Sequence, residues 1–315
     1  MPDIVSIGEC MLELFSEEPM GEAETFTRSL AGDSLNILIA AQRLGSTTGY
    51  ITRLGDDPFA EYLLGAWRNE GIDTSHVKVV DGFNAVHFVS LLPGGDRKFT
   101  YYRKGSAPST MQPSDLDHDY ISDARILHVS GIGQAISTTA RATILEAVRV
   151  ADDRGVSVSY DPNYRHQLWT PEEAREAMEE ILPYVDYFLP SAPADTETLL
   201  GTTDPREAIA LSRDKGPDTV AVTCGESGAV VAVGEDVFDV PVRTPGPVVD
   251  TTGAGDAFNG AFLHSLLTGR TPRDAATLGS IAAGLKIRGR GALTTMPAGK
   301  EIFAAFDTLK AAGKD

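Results

Sequence analysis

Ile126-Leu127-His128-Val129, Val156-Ser157-Val158-Ser159-Tyr160-Asp161, Tyr187-Phe188-Leu189 and Thr219-Val220-Ala221-Val222-Thr223 are short apolar runs, and the stretches between them carry apolar residues at helical spacing. Runs of this length read as strands buried on both faces. Strands that alternate with helices return to the sheet by crossover and lie parallel. Ala229 to Val233 continues the series. The chain is therefore expected to be an α/β protein with a doubly wound, mainly parallel sheet and helices on both faces. Ligands of such sheets sit outside the carboxyl ends of the strands, which puts Ser130-Gly131, Asp161-Pro162-Asn163, Pro190-Ser191 and Cys224-Gly225 on one rim.

Upstream, Ile4-Val5-Ser6-Ile7-Gly8-Glu9 reads as a further buried strand whose end joins that rim, and Ser34 to Leu44 as a helix stopped by Gly45. Residues 10–28 between them are too many for a bare loop and carry their own alternating run, Met11-Leu12-Glu13-Leu14-Phe15. They read as a strand pair leaving the main sheet. A second excursion spans residues 77–103, where Val86 to Leu92 and Arg97 to Tyr102 flank a Pro93-Gly94-Gly95-Asp96 turn. One α/β domain over residues 1–315 is expected, with a small β-sheet lid formed by the discontinuous segments 10–28 and 77–103.

Composition narrows the partners. A formal net charge of −18, from 45 acidic and 27 basic residues, argues against nucleic acid or an anionic membrane as a partner. The 8 Lys against 19 Arg, beside so many carboxylates, suit a halophilic protein kept soluble at high salt; an ordinary acidic cytosolic protein is the alternative. Cys10 and Cys224 are far apart and form no CxxC, which fits a reducing cytoplasm rather than a disulfide framework or thiolate metal site. No basic start and apolar run mark residues 1–20 as a signal peptide, and no stretch is long enough to span a membrane.

The chemistry is concentrated in Val249-Asp250-Thr251-Thr252-Gly253-Ala254-Gly255-Asp256-Ala257-Phe258, a small-residue loop opening directly into a helix. Small residues let successive backbone N–H groups converge on one point, and the helix N-terminus adds partial positive charge there, so an anion is favoured. By itself Asp256 could equally be an ordinary first-turn carboxylate satisfying amides. Gly225-Glu226-Ser227-Gly228 lacks the Gly-Lys-Ser/Thr ending of a Walker loop, and no Rossmann glycine triplet follows the first strand. The acidic cluster Asp115 to Asp119 has neither the glycine nor the later glutamate of a calcium loop and reads as a solvated turn and helix start.

Asp250-Thr251-Thr252-Gly253-Ala254-Gly255-Asp256-Ala257-Phe258 resembles the C-terminal signature of the PfkB, or ribokinase-like, carbohydrate kinases. Ala31-Gly32-Asp33-Ser34-Leu35-Asn36 resembles the family's Gly-Gly-x-x-x-Asn loop with one glycine replaced. Phe99 to Ala107, Leu127 to Ile132 and Asp161-Pro162-Asn163-Tyr164-Arg165 look like the 2-keto-3-deoxygluconate kinases of that family. The resemblance implies ATP-dependent phosphorylation of that sugar acid at its 6-hydroxyl, with Mg²⁺, and Asp256 as the base. It places Gly32, Asp33, Asn36, Tyr101, Arg103, Ile132 and Arg165 on the sugar, together with His87, which stands where those kinases usually have a Tyr and either contacts the sugar through a ring nitrogen or packs. Ser191, Thr223, Gly225, Gly228, Thr252, Gly253, Ala254 and Gly255 fall on the nucleotide and its anion hole, with the amides of Gly253, Ala254 and Gly255 around the moving phosphoryl group.

The Asn-x-x-Glu element that organises magnesium in the family is not legible in Pro190 to Glu197, leaving Asp195 and Asp250 as candidates near the ion. Asp250 and the Gly289 to Gly291 loop resemble the surroundings of the family's potassium site. A homo-oligomer is implied, since the lid sheet often serves as an interface in this family. Independently of the family, positions 97–104 hold four basic residues where fewer than one is proportionate. Arg103, with Arg165, is read as a carboxylate ligand. Arg97 and Lys98 are read as a charged hairpin edge. A kinase of a neutral sugar, and a non-catalytic sugar- or nucleotide-sensing homologue, are the alternatives. An exposed Asp256 would titrate near 3.9, and the helix N-terminus is expected to lower it further.

Overall fold

The computed structural model describes residues 1–91 and 97–313; the turn expected at residues 93–96 lies outside them. The strands, in chain order, are β1 (Ile4–Ile7), β2 (Met11–Ser16), β3 (Thr27–Ala31), β4 (Thr48–Gly55), β5 (Val77–Val80), β6 (Val86–Leu91), β7 (Arg97–Tyr102), β8 (Ile126–Ser130), β9 (Ser157–Asp161), β10 (Tyr187–Phe188), β11 (Thr219–Thr223), β12 (Ala229–Val233) and β13 (Asp236–Val240). Nine of them make one sheet in the order β13-β12-β11-β10-β9-β8-β1-β4-β5. From β5 to β11 every pairing is parallel. β1 and β8, inside it, bury every residue, Ser6, His128 and Ser130 included, because helices cover both faces.

Two departures from the sequence reading lie at the sheet's edges. β5, inside the segment 77–103 expected to form the lid, pairs parallel with β4 in the large sheet, and the opposite edge is antiparallel. β12 pairs antiparallel with β11, and β13 with β12. Only Cys224, the short turn Gly225–Ser227 and Gly228 separate β11 from β12, too few residues for a crossover helix, so the chain can only turn back on itself. The other strands form a four-stranded sheet ordered β3-β2-β6-β7. Within it β2 and β6 run parallel while the outer pairs are antiparallel hairpins.

Helices on one face of the large sheet pack Ile37, Leu38, Phe258 and Phe262 into one core, while Ile144, Val148 and Met178 belong to the core on the opposite face. The helix Ala254–Leu267 is buried continuously from Asp256 to Ser265, between the helices Asp33–Leu44 and Pro272–Lys286. Its first turn is thereby fixed at the carboxyl rim of the sheet. Among the described residues, no helix is long and apolar enough to cross a membrane.

Candidate active site

The loop before the helix Ala254–Leu267 is tied down at its start. Asp250 Oδ1 accepts the Thr252 amide at 2.9 Å and a bond from Arg97, and Oδ2 accepts the Gly291 amide at 2.8 Å. Burial works against ionisation, but these donors, the Thr252 amide first, hold the Asp250 carboxyl at about 2. Arg97 also reaches Thr252 Oγ1 and the Val249 carbonyl. It is a link from β7 to the loop, where the sequence suggested only a solvated edge.

Gly253 caps the helix at φ 78°, a left-handed conformation that costs glycine least. The Ala254 amide is consumed by the Thr251 carbonyl at 3.1 Å, which corrects its assignment to the anion hole. Among the described residues, the amides of Gly253, Gly255 and Asp256 have no protein acceptor, and these three donors fit a phosphate at the positive end of the helix. Behind them stands a residue the sequence reading missed. Lys286 is fully buried; its ammonium donates to the Asp250 carbonyl at 3.1 Å, and its stem lies against Gly253.

Asp256 follows in the first turn and accepts Asn36 Nδ2 at 2.6 Å. Its titration differs from expectation. Burial, followed by the nearby charge of Asp33, pushes the carboxyl up to about 7, although Asn36, Arg165 and Lys286 pull the other way. Desolvation of the charged form outweighs the helix terminus here because the residue is buried, not exposed. A carboxylate poised near neutrality is a competent proton acceptor for a hydroxyl.

The opposite wall comes from the small sheet and the rim. Gly32 brings the chain so close to β1's exit that a Cβ there would sit 2.3 Å from the Glu9 carbonyl, which explains the surviving glycine of that loop. Arg103 pairs with Glu9, and His87 Nε2 donates to Glu13 Oε2 at 2.9 Å. Burial raises the Glu9 carboxyl against the pull of Arg103. Arg165 has no acidic partner among the described residues; it donates to the Tyr164 carbonyl, and its charge is felt at Tyr101 and Asp256.

One cleft of about 1110 Å³, large enough for two small ligands, collects nearly all of these residues. Gly32, Asp33, Asn36, His87, Tyr101, Arg103, Ile132, Arg165 and Asp256 line it together with Ser191, Thr223, Gly225, Thr252, Gly253 and Gly255. Gly228 does not reach it. It closes the turn before β12, against the Val240 carbonyl. Both metal candidates are engaged with N–H and O–H donors. Asp195 Oδ1 accepts the Tyr164 amide, and its Oδ2 accepts the Ser191 amide and hydroxyl, at 2.6 to 2.8 Å. Asp161, Asn163 and Asn259 also line the cleft, and no sequence signal beyond proximity to the rim marked them.

The parallel sheet, the separate small sheet and the anion-holding helix terminus beside a buried carboxylate define a ribokinase-like small-molecule kinase. The profile of the pfkB family carbohydrate kinases matches residues 1–299, and the chain belongs to that family of sugar kinases. It is similar to a 2-dehydro-3-deoxygluconokinase of Thermoproteus tenax, 35% identical with 99% of this chain and 95% of the relative covered. It is also similar to a fructokinase of Solanum tuberosum, at 32% with 84% and 81% covered. Among solved structures, the 2-dehydro-3-deoxygluconokinase of Thermotoga maritima superposes with a TM-score of 0.86 at 26% identity, over 98% of this chain and all of the other.

Proposed function

We propose that this kinase transfers the γ-phosphoryl group of ATP to the 6-hydroxyl of a 2-keto-3-deoxy sugar acid, 2-keto-3-deoxygluconate. The observation that carries the reading is Arg165, a guanidinium on the cleft without an acidic partner among the described residues and within electrostatic reach of Asp256 and Tyr101. Its planar fork matches a carboxylate. Arg103 stands on the same cleft but is already matched by Glu9, so Arg165 supplies the charge that a sugar acid, and not a neutral sugar, requires. Ile132 offers an apolar contact, and Gly32 leaves backbone exposed to hydroxyls.

Asp256 orients the hydroxyl and takes its proton late, because the phosphoryl transition state is loose and the nucleophile's charge develops slowly. The free amides of Gly253, Gly255 and Asp256 hold the transferring group, and Lys286 supplies positive charge behind them. Mg²⁺ would neutralise the nucleotide's phosphates. Among the described residues no group of three or more His, Cys, Asp or Glu could hold it alone, so the ion would arrive on those phosphates. The small sheet would act as a lid that keeps water from the γ-phosphate.

Coupled ATP turnover across 2-keto-3-deoxygluconate, 2-keto-3-deoxygalactonate, gluconate, fructose and ribose tests the reading. The highest kcat/KM is expected with a 2-keto-3-deoxy acid. Preference for fructose or ribose would overturn it in favour of a neutral-sugar kinase.

A further inference from the structure

Three elements each bring one aspartate and one asparagine to the floor of the cleft. The helix Asp33–Leu44 carries Asp33 and Asn36, the helix Ala254–Leu267 carries Asp256 and Asn259, and the end of β9 and its loop carry Asp161 and Asn163. Asn36 Nδ2 donates to Asp256 Oδ2 at 2.6 Å, Asn259 Nδ2 to Asp161 Oδ2 at 2.9 Å, and Asn163 Nδ2 to Asp33 Oδ2 at 3.0 Å. Each amide crosses to the next element, so the three are joined in a closed ring. The Asn163 amide, in a left-handed turn at φ 36°, donates back to Asp161 Oδ1 at 2.9 Å and locks that corner.

All three carboxylates are buried, and none is in a salt bridge among the described residues. Amides orient them without cancelling their charge, the opposite of what a purely structural buried carboxylate needs. Among the described residues, the Oδ1 atoms of Asn36 and Asn259 are buried without a protein partner.

We propose that Asp161 is a positioning residue for phosphoryl transfer: through Asn259, one helical turn beyond Asp256, it fixes the placement of the base-bearing helix. The proposal rests on the reading of Asp256 as base. Asp256 faces Asp33 and Asn36 from one helix, Arg165 from the loop after β9, and Lys286 from the helix Pro272–Lys286. Asp161 faces Asp195, Asp256, Asp33 and Arg165, and His128 on β8 lies beside Asp33. Burial, followed by these neighbouring carboxylates, pushes Asp161 well above the ordinary range. Like charges gathered out of water cannot all ionise freely, so Asp161 keeps its proton while Asp256 gives its own up more readily.

The test is the pH profile of kcat and of KM, taken separately, for the full chain and its Asp161→Asn variant, with whichever sugar the wild type phosphorylates best. Asparagine keeps the shape but only one of the two acceptors that hold Asn259 and the Asn163 amide. A fall of about 10-fold in kcat is expected with KM for the sugar and the acid limb unchanged, because the base loses its placement and not its titration. An unchanged kcat, or a loss carried by KM, would overturn the proposal. Thermal unfolding needs no substrate: the variant's Tm relative to the wild type should rise between pH 5 and pH 8, and a lower Tm at every pH would leave Asp161 a structural residue only. If the wild type prefers a neutral sugar, the substrate reading fails while both measurements proceed unchanged.

Discussion

The two walls of the cleft handle charge in opposite ways. On the wall built by the large sheet, Asp256, Asp161 and Asp33 are oriented by asparagine amides and form no ion pair among the described residues. On the wall built by the small sheet, Arg103 and His87 are matched by Glu9 and Glu13. The difference follows from their tasks. A proton acceptor must keep its affinity for a proton, so its partners should be neutral. A binding wall only has to present charge at a fixed place, and an ion pair holds it there until the ligand arrives. Changes on the first wall should therefore act on kcat, and changes on the second on KM.

The largest effect expected is from Asp256→Asn. Loss of the base should lower kcat by about 10³-fold with the sugar's affinity retained. Because the folded carboxyl titrates at about 7, above its unfolded value, its ionised form destabilises the protein above that pH, and the cost disappears below the unfolded pKa. The same variant should therefore gain about 2 °C or more in Tm at pH 8 and nothing at pH 3. A full-speed Asn variant would remove Asp256 from the chemistry.

Arg103→Ala comes next, with about a 10- to 100-fold loss in kcat/KM carried mainly by KM. Part of that loss is the stranded Glu9 carboxylate. The double variant with Glu9→Gln should recover some of it, and steady-state kinetics on the four proteins of the cycle would measure how much. An effect confined to kcat would erase the distinction between the walls.

Smallest is Arg97→Ala, which cuts the partly exposed link between β7 and Asp250. A rise of only about 3-fold in KM for ATP is expected, because the Thr252 and Gly291 amides still hold the buried Asp250 carboxylate. A large fall in kcat would instead make the small sheet part of the phosphate machinery.

Much of this was legible in the chain. Buried strands alternating with helices specified the parallel sheet, and the missing crossover length at Gly225–Gly228 could have signalled the antiparallel edge. The anion loop was readable because amides that converge on one phosphate must come from consecutive residues. Asp250 and Asp256 therefore sit in one quotable stretch. The ring could not be read in the same way. Asn36 and Asp256 are 220 positions apart, Asn163 and Asp33 130, and Asn259 and Asp161 98. No local spacing joins them.

The proton affinity of Asp256 was likewise beyond the sequence, which offered a helix terminus and so a depressed value. Burial between two helices and the approach of Asp33 reversed it. Lys286 looked like one more helix residue until packing buried its ammonium against the Asp250 carbonyl. The sequence by itself determined the layered sheet, the phosphate-facing loop and the identity of its carboxylate, since each depends on residues close together in the chain. Only the tertiary structure decided which charges are matched, which are left standing and how strongly Asp256 holds a proton, because desolvation and electrostatic coupling depend on distances between segments that meet only after folding.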